Sequence, residues 1–265
     1  MPPKHFLQIL LTCLVVFLSG IFIPLHAKDI GEEFYEKTKL TLPGVLKQVI
    51  RFKTAPPQYK KYPRAVKIKL PLPVHRGLSL EEAIKKRRSV RTYSEKALTL
   101  EEISQLLFAA QGITGEYYGQ PLRSAPSAGA LYPIEIYLVV GNVKNLKHGI
   151  YHYAVLEHSL ELLKEGDFRK KLRSAALDQE MVEDAAVTFI LTAIWERATH
   201  KYEERGYRYA YIEAGHISQN IYLQATSLGL GSVSVGAFFD DKVNKLLEID
   251  GEKESAIYLH PVGRR

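Results

Sequence analysis

The sequence predicts an α+β sandwich built around one sheet, and three observations predict it. The stretches Ile134–Val140, Val187–Ile194 and Ala256–His260 are short, apolar and rich in β-branched residues, as buried strands are. Ser79-Leu80-Glu81-Glu82 and Thr99-Leu100-Glu101-Glu102 are capping boxes, each opening a segment with helical spacing of apolar residues. Helices and strands alternate in mixed order with no internal repeat, which places helices against a sheet rather than in separate halves.

Taken in order, residues 1–28 carry Lys4 and then an apolar run from Phe6 to Ile23, which reads as a signal peptide or an N-terminal membrane anchor. The small-x-small cleavage pattern at Leu25 and Ala27 is poor, and retention as an anchor is slightly favoured; Lys28 and the basic residues after it favour a cytoplasmic C-terminal side, Lys4 the opposite. Residues 29–74 form a basic, proline-rich extension, expected to be extended chain wrapping a core or a linker, with a short helical end at Lys47–Phe52. From residue 75 onward the chain reads as one domain. A helix runs from Ser79 to about Lys86, and a second from Thr99 to Gly112. A loop over Thr114–Arg123 leads to Ser124-Ala125-Pro126-Ser127-Ala128-Gly129-Ala130-Leu131-Tyr132-Pro133 and the strand after it. Gly149–Leu156 and Leu160–Leu163 alternate as a hairpin, Phe168–Leu177 and the segment around Met181 read as helices, and Val187–Ile194 is a strand. Glu196–Arg208 is expected as a loop, Tyr209–Leu228 as a long helix ended by Gly229, Gly231–Phe238 as a strand, and Lys242–Leu247 as a helix capped by Asp240 and Asp241.

The chain has 265 residues and is 46% hydrophobic, enough for a sizeable core. Its charge is uneven: residues 1–91 carry 18 Lys/Arg against 6 Asp/Glu (+12), and residues 92–265 carry 18 against 23 (−5). A basic tract suits an anionic membrane surface or a phosphate; without a nucleic-acid module, nucleic acid is not an expected partner. The one cysteine, Cys13, excludes an internal disulfide or a cysteine metal site, and the scattered histidines predict no metal centre.

Two places concentrate chemistry. In extended chain Arg87, Ser89 and Arg91 face one way, with Arg88 between them, and two guanidinium groups with a hydroxyl can clamp a phosphate; a solvated helix end explains the same residues. The Pro-Ser-Ala-Gly-Ala run has little side-chain bulk, so its backbone can lie against a flat ligand, though a turn before a buried strand has the same look. Gly263-Arg264-Arg265 adds two cations at the C-terminus.

The Arg-Arg-Ser-x-Arg piece, the Ala-Pro-Ser-Ala-Gly-Ala-Leu-Tyr-Pro run, Gly-Leu-Gly-Ser-x-x-x-Gly and the Pro-Val-Gly-Arg ending occur in an order that resembles the FMN-dependent nitroreductase superfamily. Within it the chain is most similar to the SagB-type dehydrogenases, relatives of the thiazole/oxazole-forming oxidases. The resemblance covers about residues 75–265 and reaches back into the proline-rich tract. It implies a three-layer sandwich, with a central, mainly antiparallel sheet flanked by helices, in a homodimer holding FMN at its interface. It implies that Arg87, Arg88, Ser89 and Arg91 hold the phosphate and ribityl chain, with Arg264 and Arg265 closing on the same phosphate. Pro126, Ser127 and Ala128 would lie on the flavin ring of the other subunit, and the backbone of Ser234, Val235 and Gly236 would border the ring. Lys201 and Tyr202 resemble the pair that removes a proton as hydride leaves to FMN in azoline-oxidising relatives; such a lysine must be desolvated or set among cations, and Arg205 and Arg208 are near in sequence. Glu213, His216 and Asn220 could share a helix face toward the site.

The implied function is an FMN-dependent oxidoreductase acting on a small molecule or peptide, oxidising an azoline-like C–N bond, or else reducing nitro compounds or quinones with NAD(P)H. A non-catalytic flavin-binding protein at the membrane is the alternative of another class. The hydrophobic N-terminus departs from these relatives, which are usually cytoplasmic.

Overall fold

The computed structural model describes residues 29–43, 54–74 and 77–265. The apolar segment at 1–28 and the expected helical end at Lys47–Phe52 lie outside these residues, and among the described ones no helix is long and apolar enough to cross a membrane. Residues 1–39 and 40–265 are separate units.

In the first unit, helix α1 (Ile30–Lys37) forms where the sequence suggests extended chain. The Asp29 side chain accepts the Glu32 N–H at 2.7 Å, Glu32 and Glu33 occupy the first turn and Lys37 the last, so cap and charges favour the helix.

The second unit is a seven-stranded sheet between two helical layers. In order along the chain its elements are β1 (Val66–Lys69), α2 (Leu80–Lys86), α3 (Leu100–Gln111), β2 (Ile113–Tyr117), β3 (Gln120–Arg123), β4 (Ile134–Val140), β5 (Gly149–Ala154), β6 (Ser159–Glu165), α4 (Arg169–Ala175), α5 (Glu180–Asp184), β7 (Val187–Ile194), α6 (Trp195–Tyr202), α7 (Arg205–Ser227), β8 (Leu230–Ser232), α8 (Asp240–Leu247) and β9 (Glu254–Arg264). The strand order is β1-β6-β5-β4-β7-β9-β8, with every neighbouring pair antiparallel. In β4, Ile134, Ile136, Leu138 and Val140 face one layer with Ile103, Leu106 and Leu107 of α3 and Ile217 and Ile221 of α7. Tyr137 and Val139 face the other, with Leu172 of α4, Val182 of α5 and Val243 of α8.

Both cap signals form helices: Ser79 accepts from Glu82 N–H, and Thr99 and Glu102 make the full reciprocal box. Elsewhere the structure corrects the expectations. Thr114–Arg123 is largely the β2–β3 hairpin, and Glu196–Arg208 is α6 and the start of α7. Helices α6 and α7 approach closely because Gly206 has no side chain: a Cβ there would come within 2.7 Å of the Ala198 carbonyl carbon. The strand expected over Gly231–Phe238 ends at Ser232, since the Ser234 N–H is taken by the Tyr222 hydroxyl instead of a ladder. Strand β9 runs beyond Pro261, whose carbonyl still accepts from Val233, so the C-terminal tail is held to Arg264.

In the proline-rich tract, β1 is the sheet's edge strand, and residues 57–62 lie over buried charges on the second face. There His152 is within 2.8 Å of Glu135 through Nε2 and of Glu161 through Nδ1, so both ring nitrogens donate and the ring is an imidazolium. Burial opposes that charge, but the two carboxylates outweigh it and raise the His152 pKa. Burial likewise opposes the Glu135 carboxylate, yet His152 and Arg197 hold its pKa down to about 2. Lys60 pairs with Glu254 and donates to the Tyr137 hydroxyl at 2.7 Å.

Candidate functional site

Helix α2 ends at Arg87, and the chain turns out into extended backbone that meets β8, with Val90 N–H donating to the Ser232 carbonyl at 2.9 Å. The Arg87 guanidinium lies 5.0 Å over the Tyr222 ring, and Ser89 Oγ is 3.1 Å from the Tyr222 hydroxyl. Arg88 turns back to donate to the Lys85 and Arg87 carbonyls, and Arg91 is exposed. Among the described residues no carboxylate pairs with Arg87, Arg88 or Arg91. A guanidinium without an anion beside a hydroxyl, Arg87 and Ser89 on Tyr222, fits a phosphate, and Arg88 and Arg91 belong to the same segment. Of the C-terminal cations, Arg264 is engaged elsewhere. Arg264 pairs at 2.8 Å with Glu102, the carboxylate that also caps α3, and Arg265 is exposed. That pairing depends on where β9 ends relative to α3, which no local pattern encodes.

Tyr222 ties the clamp to the segment after β8. Its hydroxyl accepts the Ser234 N–H at 2.8 Å on one side and meets Ser89 on the other. Burial resists ionisation of Tyr222, but the bonds with Ser89 and Ser234 and the Arg87 charge outweigh it and lower its pKa. Ser234 Oγ also meets Ser218 Oγ at 2.6 Å and His260 Nδ1 at 3.2 Å. His260 is fully buried, its Nε2 has no partner, and burial pushes its pKa down to about 3. Val235 is held by a pair of backbone bonds with Leu259, while Gly236 is exposed. Tyr222 and His260 are members of this cluster that sequence reasoning missed; the trace of it is polar Ser218 and Tyr222 one turn apart on a helix otherwise packed by Ile217, Ile221 and Ala225.

The small-residue loop sits elsewhere on α7. The Pro126 carbonyl is 3.4 Å from His216 Nδ1. Ser127 Oγ accepts the Tyr132 N–H at 2.9 Å and hydrogen-bonds the buried Glu213 carboxylate. Ala128 opens a short turn in which Gly129 has φ +62°. A Cβ on Gly129 would lie 2.6 Å from the Tyr202 hydroxyl and 2.9 Å from Lys201 Nζ, so both groups converge on the open face of that glycine. The Tyr202 ring meets Tyr209 edge-on at 4.9 Å, and Arg205 Nε donates to the Tyr209 hydroxyl at 2.8 Å. Lys201 is exposed in the single chain. Asn220 does not face this site: it donates to the Ala109 carbonyl in α3.

Burial is the main force on Glu213, raising its pKa to about 7 against the opposing effects of Ser127, Arg123 and Gln111. A folded value above the unfolded carboxyl value means that its contribution is fully present below about pH 4.5 and lost as pH rises through 7. Glu213→Gln is therefore expected to flatten the decline in stability between those limits. Urea unfolding at pH 5 and 8 checks this: the parent-minus-variant difference should fall by a few kcal/mol, on the order of two pKa units at ~1.4 each.

Around α7, at about 100° per residue, Glu213 lies roughly 180° from Tyr222 and 140° from Ser218. The phosphate-type clamp and the small-residue loop thus occupy opposite faces of one helix, and a single chain does not bring them together.

The family model described as "Nitroreductase family" matches residues 84–264. Two relatives carry the name putative nitroreductase. MJ1384 of Methanocaldococcus jannaschii is 43% identical over 198 residues, 75% of this chain and 97% of its own. The crystallised protein of Anabaena variabilis superposes with a TM-score of 0.72 at 32% identity, over 88% of this chain and 46% of that one. The microcin B17-processing protein McbC of Escherichia coli is 34% identical over 137 residues, half of each chain.

Proposed function

This chain belongs to the nitroreductase family, and from that premise we propose that it is a dimeric FMN oxidoreductase whose Lys201 and Tyr202 assist dehydrogenation of an azoline-like ring. The convergence of Lys201 Nζ and Tyr202 hydroxyl on Gly129 carries the reading, because a base and a hydroxyl there stand beside the backbone that would floor the ring. Arg87, Ser89 and Arg91 would hold the phosphate, and Ser234 to Gly236 would border the ring. FMN, when bound, supplies a two-electron acceptor for hydride. Lys201 would take the proton from the ring carbon next to the one that gives up hydride, so that a double bond forms between the two, and Tyr202, braced by Tyr209, would orient the substrate beside it. A base needs a neutral amine, and the single chain leaves Lys201 exposed; the second subunit supplies the cover. It also supplies the clamp that faces this loop, since the two lie on opposite faces of α7. Similarity to McbC, a microcin B17-processing protein by name, supports a peptide-borne substrate.

The test is to reconstitute residues 29–265 with FMN and follow bleaching of the flavin bands by 2-phenylthiazoline, by NADH and by NADPH. Bleaching by the thiazoline, with a Lys201→Ala rate lower by about two orders of magnitude at equal FMN content, is the expected result. Bleaching by nicotinamide alone, followed by reoxidation with menadione or a nitroaromatic, would establish the reductase direction instead.

A further inference from the structure

Residues 55–60 lie upstream of the family-matched region, yet they bond both to α6, at Arg197, and to the loop beside Gly129, at Ala130. The Pro57 carbonyl accepts from Arg197 Nε of α6 at 2.8 Å. Gln58 Nε2 donates to the Ala130 carbonyl, next to Gly129, at 3.0 Å. Lys60 fastens the segment to the sheet through Glu254 and Tyr137. Between them is a crevice of about 130 Å³, bounded by Pro56 and Gln58 on one side and by Gly129, Leu131 and His200 on the other.

We infer that residues 55–60 are a working wall of the active site, a strap that sets both the helix carrying Lys201 and Tyr202 and the loop on which they converge. The inference rests on the reading of Lys201 and Tyr202 given above. Helix α6 has eight residues and no side-chain cap at its N-terminus, too little to hold its own orientation. Its fixed point is Arg197, buried and shared among the Pro57 carbonyl, the Tyr132 carbonyl at 3.2 Å and Glu135 at 2.6 Å. Arg197 and Lys201 are four residues apart and share a helix face, so fixing one sets the rotation at which the other meets Gly129. The Gln58–Ala130 bond holds the opposite side of that approach. Both sides of the approach of Lys201 and Tyr202 to Gly129 are thus referred to one segment, and a shift of an ångström in either would alter it. Arg197 and Gln58 are positioning residues.

Trp195, the chain's single tryptophan, begins α6 and packs on Tyr207 at 4.9 Å and Tyr211 at 5.6 Å, which makes it a reporter of how α6 is seated. Arg197→Lys keeps the charge facing Glu135 and loses the fork to the two carbonyls. In the FMN-free chain this variant is expected to raise acrylamide quenching of Trp195 at least twofold while the far-ultraviolet spectrum stays that of the parent. Gln58→Ala, loaded with FMN, is expected to lower kcat for 2-phenylthiazoline at least fivefold with FMN affinity and thermal midpoint unchanged. Parental quenching in Arg197→Lys overturns the strap, and so does parental kcat in Gln58→Ala. Should the parent fail to oxidise the thiazoline, the oxidative assignment falls, and the quenching measurement, which needs no flavin, still decides whether Arg197, with Pro57 among its partners, seats α6.

Discussion

An Arg87→Ala/Arg91→Ala variant is expected to fold as the parent does and to bind FMN two to four orders of magnitude more weakly. Both side chains are at least partly exposed and neither is paired with a carboxylate, so removing them strands no buried charge. Each charge-assisted bond to a phosphate is worth about 1.5–3 kcal/mol, and two of them amount to roughly 3–6 kcal/mol, at ~1.4 per tenfold in affinity. Titration of the apo-chain with FMN, read by quenching of flavin fluorescence, measures the change. Arg264→Ala provides the contrast. Its guanidinium is engaged by Glu102, so its loss should cost the capped end of α3 some stability and affect FMN affinity less than the double variant does. Equal loss of affinity in the two would mean that Arg264 leaves Glu102 when phosphate arrives. Unaltered binding in the double variant would remove the clamp.

Acidification is expected to cost the fold on the order of 5 kcal/mol at His260 alone. The folded value of about 3 lies some 3.5 units below the unfolded histidine value, at ~1.4 kcal/mol each. Because the folded pKa is the lower one, this contribution is fully present above about pH 6.5 and is lost as pH falls toward 3. Against a usual total of about 5–15 kcal/mol, it places acid unfolding inside that window. His260→Asn keeps an amide where Nδ1 meets Ser218 and Ser234 and removes the titration. It should lower stability at neutral pH through lost volume yet flatten the acid slope. Denaturant unfolding at pH 7, 5 and 4 gives that slope, and a variant as acid-sensitive as the parent would show that other groups govern it. Glu135, held down to about 2, acts in the same direction at lower pH, whereas Glu213 acts oppositely between about 4.5 and 7. Between about pH 4.5 and 6.5 the opposed His260 and Glu213 slopes nearly cancel, which places a shallow stability optimum at about pH 5–6.

Local chemistry alone determined much of this protein. The capping residues Ser79 and Thr99 and the apolar runs Ile134–Val140 and Val187–Ile194 carry their structure in a few adjacent side chains, and these elements stand where the sequence places them. Arg87, Ser89, Pro126 and Ser127 stood out in the sequence as a basic cluster and a bulk-free run, and Lys201 and Tyr202 through the family resemblance. What the sequence could not supply is which of them meet. Lys201 and Tyr202 reach Gly129 across some seventy residues only because Gly206 lets α6 lie against α7 and Arg197 anchors α6 to Glu135. Tyr222 became the bridge between Ser89 and Ser234, and Arg264 the partner of Glu102, through strand order and helix rotation. The sheet order and the separation of clamp from loop on opposite faces of α7 belong to the tertiary structure for one physical reason. Hydrogen bonds and charges act over a few ångströms, and only the packed core decides which distant residues come within that range.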